Sequence, residues 1–261
     1  MKRMPARPVV VLTAVLCLTS FGALARSQSP AATQESQHVS ETTRLAIAKA
    51  NSGKLDQSLD LFDKSLKTSH RDVIALLNRG KVLLIQGRLD KAVRDFSAAI
   101  KLEPNLAEAH IARGMAYRLQ GDFSKALKDF DKTMSLDPGN TAALLHRAAM
   151  FFDTGDHENA LQDLDRLIKL NPQMMRALGN RAFILEQLGR YDDAIKDLGS
   201  IIAQDPENLM AMKHLGFIYR QKDEPSQALR WYEMALKLEK GQAHRKLLQE
   251  EIQYLQRKAK K

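Results

Sequence analysis

Residues 114–138 are GMAYRLQGDFSKALKDFDKTMSLDP, and this pattern returns every 34 residues along the chain. The proline that closes it recurs at this interval as Pro104, Pro172 and Pro206. Ala126 within this stretch recurs in the same way as Ala92, Ala160, Ala194 and Ala228. Gly121 recurs as Gly53, Gly87, Gly155 and Gly189. A fixed period of this length identifies an array of one small structural unit.

A single unit, residues 73–106, predicts two antiparallel helices. Apolar residues recur at helical intervals over 73–85 and again over 92–100, with Gly87 between them where the chain leaves the first helix. The small Gly80 predicts that the two helices approach each other closely at this position. Such a hairpin cannot bury its apolar face alone, so successive hairpins are expected to stack into a solenoid.

The unit resembles the tetratricopeptide repeat, whose pattern is nearly complete in Gly114, Tyr117, Ala126, Phe130 and Pro138. The resemblance implies an all-α fold, a right-handed α-solenoid of six 34-residue helix-turn-helix repeats followed by a C-terminal capping helix. The repeats span 39–72, 73–106, 107–140, 141–174, 175–208 and 209–242. The resemblance also implies a non-enzymatic scaffold for protein–protein interaction, because this fold serves mainly to bind other proteins.

The beginning of the chain predicts export. Basic residues before Pro8 precede an apolar run from Val9 to Leu16, and Ala23-Leu24-Ala25 follows, which is the pattern of a signal peptide over residues 1–25. We expect cleavage near Ala25 and a periplasmic or secreted protein. An uncleaved membrane anchor is the alternative. Residues 26–38 lack an apolar pattern and predict a flexible linker.

The other end of the chain predicts a capping helix over 243–256 and a basic tail over 257–261. The apolar stripe of this helix is Leu247, Leu248, Ile252 and Leu255. The formal charge of +9 falls to +6 without the leader, and residues 243–261 hold +4 of it. Because the excess charge lies at the ends, we expect no binding of nucleic acid. Weak contact of the tail with anionic phospholipid stays an alternative to a solvated tail.

Four repeats carry an arginine in the first helix and an aspartate sixteen residues later. The pairs are Arg79 with Asp95, Arg113 with Asp129, Arg147 with Asp163 and Arg181 with Asp197. In the end repeats both members change together, to Leu45 with Leu61 and to Leu215 with Trp231. This joint change predicts structural ion pairs. The alternative is an arginine row that binds an acidic ligand.

Catalytic, cofactor and metal sites are not expected. The histidines lack the spacing of a metal site, and the recurring glycines mark helix turns rather than a phosphate-binding loop. His146 and His214 occupy equivalent places on first helices, where we expect polar groove side chains.

In the resembling family the first helices line a concave groove. The corresponding residues are Leu77, Lys81, Leu84, Ile111, Met115, Arg118, Leu145, Phe152, Phe183, Glu186, Lys213, Phe217 and Arg220. This largely apolar lining predicts another protein as the ligand, bound as a helix or an extended segment, although part of it could pack between neighbouring helices. The hypothesis is an adaptor of the cell envelope. The alternative is a self-assembling or membrane-surface structural protein, and the oligomeric state stays open.

Overall fold

The computed structural model describes residues 39–258, and all regular secondary structure in this range is α-helical. The predicted leader and linker over 1–38 lie outside the described residues, as does the end of the tail over 259–261. The helices are α1 (Glu41–Asn51), α2 (Leu55–Thr68), α3 (Val73–Ile85), α4 (Leu89–Leu102), α5 (Ala107–Leu119), α6 (Phe123–Leu136), α7 (Thr141–Asp153), α8 (His157–Leu170), α9 (Met175–Gln187), α10 (Tyr191–Gln204), α11 (Leu209–Gln221), α12 (Pro225–Leu238) and α13 (Gln242–Lys258). The prediction of an all-α fold is confirmed.

The chain divides into two compact units, Met1–Ala126 and Leu127–Lys261, and the division falls within α6. In the first unit α1 packs against α2 and α3 against α4, while α2 contacts α3 and α4 contacts α5. In the second unit α7, α9 and α11 each pack against the helix that follows, and the resulting pairs contact one another in chain order. Within each unit, a hairpin therefore covers the apolar face of the next one.

Each unit has its own core. In the first unit Phe62 and Phe96 are fully buried at the centre of a cluster that extends from Ala46 to Ala116. In the second unit Leu144, Leu164 and Leu167 form one buried cluster, and further clusters follow around α10 and around α12. Burial of such side chains is the main contribution that stabilises each stack.

The turn inside each hairpin requires a left-handed backbone conformation. Five turn glycines, Gly53, Gly87, Gly121, Gly155 and Gly189, have φ between 71° and 80°. Glycine adopts this region without a steric penalty, which is why it recurs there. In the last hairpin Asp223 takes the same place with φ 61°. Aspartate is among the few other residues that tolerate this conformation.

The small residue of the first helix allows close approach of the second helix. A Cβ added to Gly80 would lie 2.6 Å from Cε1 of Phe96, and one added to Gly216 would lie 2.6 Å from the ring of Tyr232. Both rings are buried, so neither can move aside freely. Gly179 differs, because its added Cβ would meet only Cδ1 of Ile201 at 3.7 Å.

We expect Gly80→Ala to lower the free energy of unfolding by about 1–3 kcal/mol, because the methyl group overpacks a site filled by Phe96. Gly179→Ala is the matched control. It should raise the free energy of unfolding by about 0.5–1 kcal/mol, since a helical glycine loses more conformational freedom than alanine. Urea unfolding followed by circular dichroism measures both variants. Equal effects of the same sign would contradict the close-approach explanation.

The capping helix lies where the sequence predicts it, with different bounds. Leu248, Ile252 and Leu255 of α13 are buried against α12, whereas Leu247 is 55% exposed. The prediction that Leu247 belongs to the stripe packed on the sixth repeat is wrong, because its side chain stays largely exposed to solvent. The helix also continues to Lys258, so the first two residues assigned to the tail are helical.

Candidate functional site

The predicted arginine–aspartate pairs are held by bidentate hydrogen bonds. Arg147 donates from Nε and Nη2 to the two carboxylate oxygens of Asp163, at 2.8 and 2.7 Å. Arg79 with Asp95 and Arg181 with Asp197 have the same geometry. These aspartates are buried, and in each pair the two partners belong to the two helices of one hairpin. Of the remaining predicted pair, Arg113 donates to Ser97 at 3.1 Å and Asp129 is buried in the second unit.

A third residue, which the sequence analysis missed, completes each arrangement. Arg147 also donates from Nη1 to Asp131 at 2.7 Å, and Arg79 and Arg181 donate to the equivalent Asp63 and Asp165. Each arginine thus joins the second helix of its own hairpin to that of the preceding one. These acids occupy one position of the 34-residue repeat, which holds Ser97 in the repeat before Arg113 and Gly199 in the repeat before Leu215. This shared position was the available signal.

Electrostatics keep these arginines charged. The hydrogen bond to Asp163 raises the pKa of Arg147 above its ordinary value, and the bond to Asp131 adds to the rise. The same causes act on Arg79 and Arg181. Because their donors are directed at aspartates of this chain, these arginines serve the structure and leave an acidic ligand little to bind.

In the first unit the predicted groove residues lie largely in the core. Leu77, Leu84 and Ile111 are only 5–6% exposed, so they support the helices and offer little surface to a partner. Lys81 donates to Glu108 at 2.5 Å and joins α3 to α5. Met115 and Arg118 remain half-buried on α5.

In the second unit three successive first helices bring ring side chains into one continuous row. Phe152 of α7 lies 5.4 Å from Phe183 of α9, edge to face, and Phe183 lies 6.1 Å from His214 of α11. His157 extends the row at one end, 5.4 Å from Phe152. All four residues are partly buried, and Nδ1 of His157 is buried without a hydrogen-bond partner among the described residues. We call Phe152, Phe183 and His214, with His157, the aromatic row.

The other predicted groove residues of this unit surround the aromatic row. Leu145 is buried, whereas Phe217 is half-buried and packs against the core cluster of α9 to α11. Glu186 is buried, and its Oε2 lies 2.6 Å from Nδ1 of His214. This contact fixes the orientation of the imidazole. Glu186 thus positions a member of the row and offers little surface of its own. Of the two histidines on equivalent places, His214 joins the row, whereas His146 is buried and stacks on Phe130.

In the second unit the cations of the predicted groove are bound to acids. Lys213 forms an ion pair with Glu239, and this pair, with the N–H of Gly241, lowers the pKa of the Glu239 carboxyl. Arg220 donates to Glu251 at 2.7 Å, and its guanidinium lies 5.8 Å from the centre of the Tyr254 ring. Beside the row, Lys213 and Arg220 with their acidic partners therefore form a polar margin without net charge.

The capping helix continues the same face. Leu247, Glu251 and Tyr254 stand 34 residues after Lys213, Phe217 and Arg220. Leu247 and Tyr254 are 55% and 50% exposed. The apolar pattern predicted α13 only as a cap, although the repeat spacing was sufficient to place these residues on the side of the first helices.

Within residues 39–258 no group of three histidine, cysteine, aspartate or glutamate side chains is placed to hold a metal ion. None of the helices in the described part of the chain combines the length and the apolar character needed to cross a membrane.

Four family models match the chain. Those described as tetratricopeptide repeat match residues 107–140, 147–213 and 185–252, and one described as TPR repeat matches residues 80–121. Together they span more than half of the 261 residues. No curated protein sequence matches the chain.

Solved structures of similar fold include three informative examples. A tetratricopeptide repeat protein from Parabacteroides merdae ATCC 43184 is 20% identical with a TM-score of 0.62, over 82% of this chain and 83% of that one. PilW, described as a widely conserved type IV pilus biogenesis factor, is 19% identical with a TM-score of 0.70, over 86% and 99%. YrrB, described as a TPR protein with an unusual peptide-binding site, is 21% identical with a TM-score of 0.56, over 70% and 94%.

These similarities confirm the α-solenoid class that the repeat pattern predicts. Members of this family generally mediate protein–protein interaction rather than catalysis. The chain is a tetratricopeptide repeat protein.

Proposed function

We propose that the chain is an exported, non-enzymatic adaptor that binds a segment of a partner protein along the aromatic row of the second unit. The observation that carries this proposal is the row itself. Phe152, Phe183 and His214 contact one another across α7, α9 and α11 and stay partly exposed, although a solvated helix face is ordinarily polar. Aromatic side chains contribute most to binding when a partner covers them.

The chemistry of the margin supports a largely apolar partner segment. Lys213 and Arg220 already have carboxylate partners, and Glu186 is occupied by His214. A strongly charged peptide would have to compete with these contacts and pay the cost of desolvating its own charges. An amphipathic helix or an extended apolar segment would cover the rings without breaking the ion pairs.

The peptide-binding site of YrrB and the pilus biogenesis role of PilW are compatible with this proposal. Both are less than a quarter identical to this chain, so the similarity concerns fold, and the partner segment is inferred from the row. The envelope location rests on the signal-like sequence of residues 1–25, with Ala23-Leu24-Ala25 at its end.

Replacing Phe217, beside the row, with a photocrosslinking amino acid tests the proposal in the native cells. We expect a covalent adduct with another polypeptide, because Phe217 keeps exposed surface on this face. The same residue at the exposed Arg166 of α8 is the control and should give no adduct. Identical adducts from both positions would contradict a specific face.

The same experiment separates the alternative function. An adduct with the mass of two copies of this chain, together with a particle size that grows with concentration in light scattering, would favour self-assembly. It would contradict the adaptor proposal.

A further inference from the structure

A second surface, in the first unit, carries unneutralised positive charge. In the first unit a cleft of about 280 Å³ lies between α2, α3 and α4. Its charged lining consists of Asp63, Arg79, Arg88, Lys91, Arg94 and Asp95. Four cations against two carboxylates give this cleft a net charge of +2.

The second unit contains a repeat-equivalent cleft of about 240 Å³ with a different balance. Its charged lining consists of Asp165, Arg181, Arg190, Asp193, Lys196 and Asp197, which sum to zero. Asp193 accepts from Arg190 at 2.9 Å and from Lys196 at 3.2 Å. The hydrogen bond from Arg190, followed by that from Lys196, lowers the pKa of the Asp193 carboxyl below its usual range. The second cleft therefore neutralises its own cations.

In the first cleft Lys91 stands at the position equivalent to Asp193, so a cation replaces the carboxylate that neutralises the second cleft. Arg88 and Arg94 stand three residues before and after it, as Arg190 and Lys196 do around Asp193. Among residues 39–258 none of Arg88, Lys91 and Arg94 has a carboxylate within ion-pair distance, and Arg88 contacts only the amide oxygen of Gln86, at 3.4 Å.

The remaining nearby acids are already engaged. Asp63 and Asp95 accept hydrogen bonds from Arg79. Asp90, in the first turn of α4, accepts from Gln120 at 2.8 Å. Arg88, Lys91 and Arg94 are like charges along the first two turns of α4 and repel one another, so a bound anion would be stabilised there.

We propose that this cleft binds a phosphate group, presented by a phosphate monoester or by the head group of an anionic lipid. A phosphate monoester carries a charge of about −1.5 to −2 near pH 7, which matches the net charge of the cleft. The guanidinium groups of Arg88 and Arg94 can each donate two parallel hydrogen bonds to two phosphate oxygens. The ammonium group of Lys91 adds a compact positive charge. A single carboxylate would leave one positive charge unmatched.

The repeat-equivalent cleft supplies the test. Isothermal titration of the full chain with inorganic phosphate at low salt should show one saturable site. Lys91→Asp places the residue of the second cleft in the first and should weaken binding at least about tenfold, because it adds ion pairs with Arg88 and Arg94. Lys128→Asp, an equal change of charge at an exposed lysine of α6, should leave binding unchanged. The reverse variant Asp193→Lys should add a second site.

Vesicles distinguish the two sources of phosphate. Binding to phosphatidylcholine vesicles that contain phosphatidic acid, lost in Lys91→Asp and displaced by free phosphate, would assign a lipid head group. Phosphate binding without vesicle binding would assign a soluble monoester. The proposal is overturned if the wild-type titration does not saturate, if Lys91→Asp and Lys128→Asp have equal effects, or if Asp193→Lys adds no site.

Discussion

Arg147→Leu should lower the free energy of unfolding by about 3 kcal/mol or more, because it leaves the buried carboxylate of Asp163 without its bidentate partner. The second acceptor, Asp131, has a side chain that is 50% exposed and can return to water at little cost. Removing Asp131 alone should therefore cost no more than about 1 kcal/mol. Chemical unfolding of the variants measures both values.

A double-mutant cycle isolates the pair. Arg147→Leu combined with Asp163→Leu should recover most of the lost stability, because an apolar pair fills the space and no buried charge remains. The chain itself contains this solution, since Leu45 and Leu61 stand at the equivalent places in the first repeat. A coupling energy near zero between Arg147 and Asp163 would show that the buried bidentate contact contributes nothing.

The repeat period explains why so much of the fold was predictable. A turn glycine, a small residue at the helix crossing and a closing proline each have one local physical reason, and each reason returns every 34 residues. Gly87 and Gly80 confirm two of these reasons directly, through a positive φ and through the ring of Phe96. Helix ends depend on weaker signals, and α13 accordingly continues past its predicted end to Lys258.

The candidate site was less predictable because a position in the repeat fixes the side of a helix and not the depth of its side chain. Leu77 and Phe183 belong to the same predicted set, yet Leu77 is buried and Phe183 is partly exposed. Depth depends on the neighbours that each repeat provides. The contact between Arg147 and Asp131 was also hidden, because the two residues belong to different repeats.

Phe183→Asp should abolish partner binding while changing the melting temperature little. Phe183 lies in the middle of the aromatic row, between Phe152 and His214, and is only partly buried, so we expect the new carboxylate to reach water in the free protein. A partner segment that covers the row would bury this charge without a counterion, at a cost of several kcal/mol. The crosslink from position 217 reports binding, and circular dichroism reports melting.

Phe130→Asp is the matched control in the same unit, because Phe130 is fully buried and stacks on His146. Its carboxylate would remain in the core and should unfold the neighbouring hairpins. If Phe183→Asp lowered the melting temperature as much as Phe130→Asp does, Phe183 would belong to the core and the aromatic row would not be a binding surface. Loss of the crosslink with the melting temperature preserved is the result that only a surface covered by a partner produces.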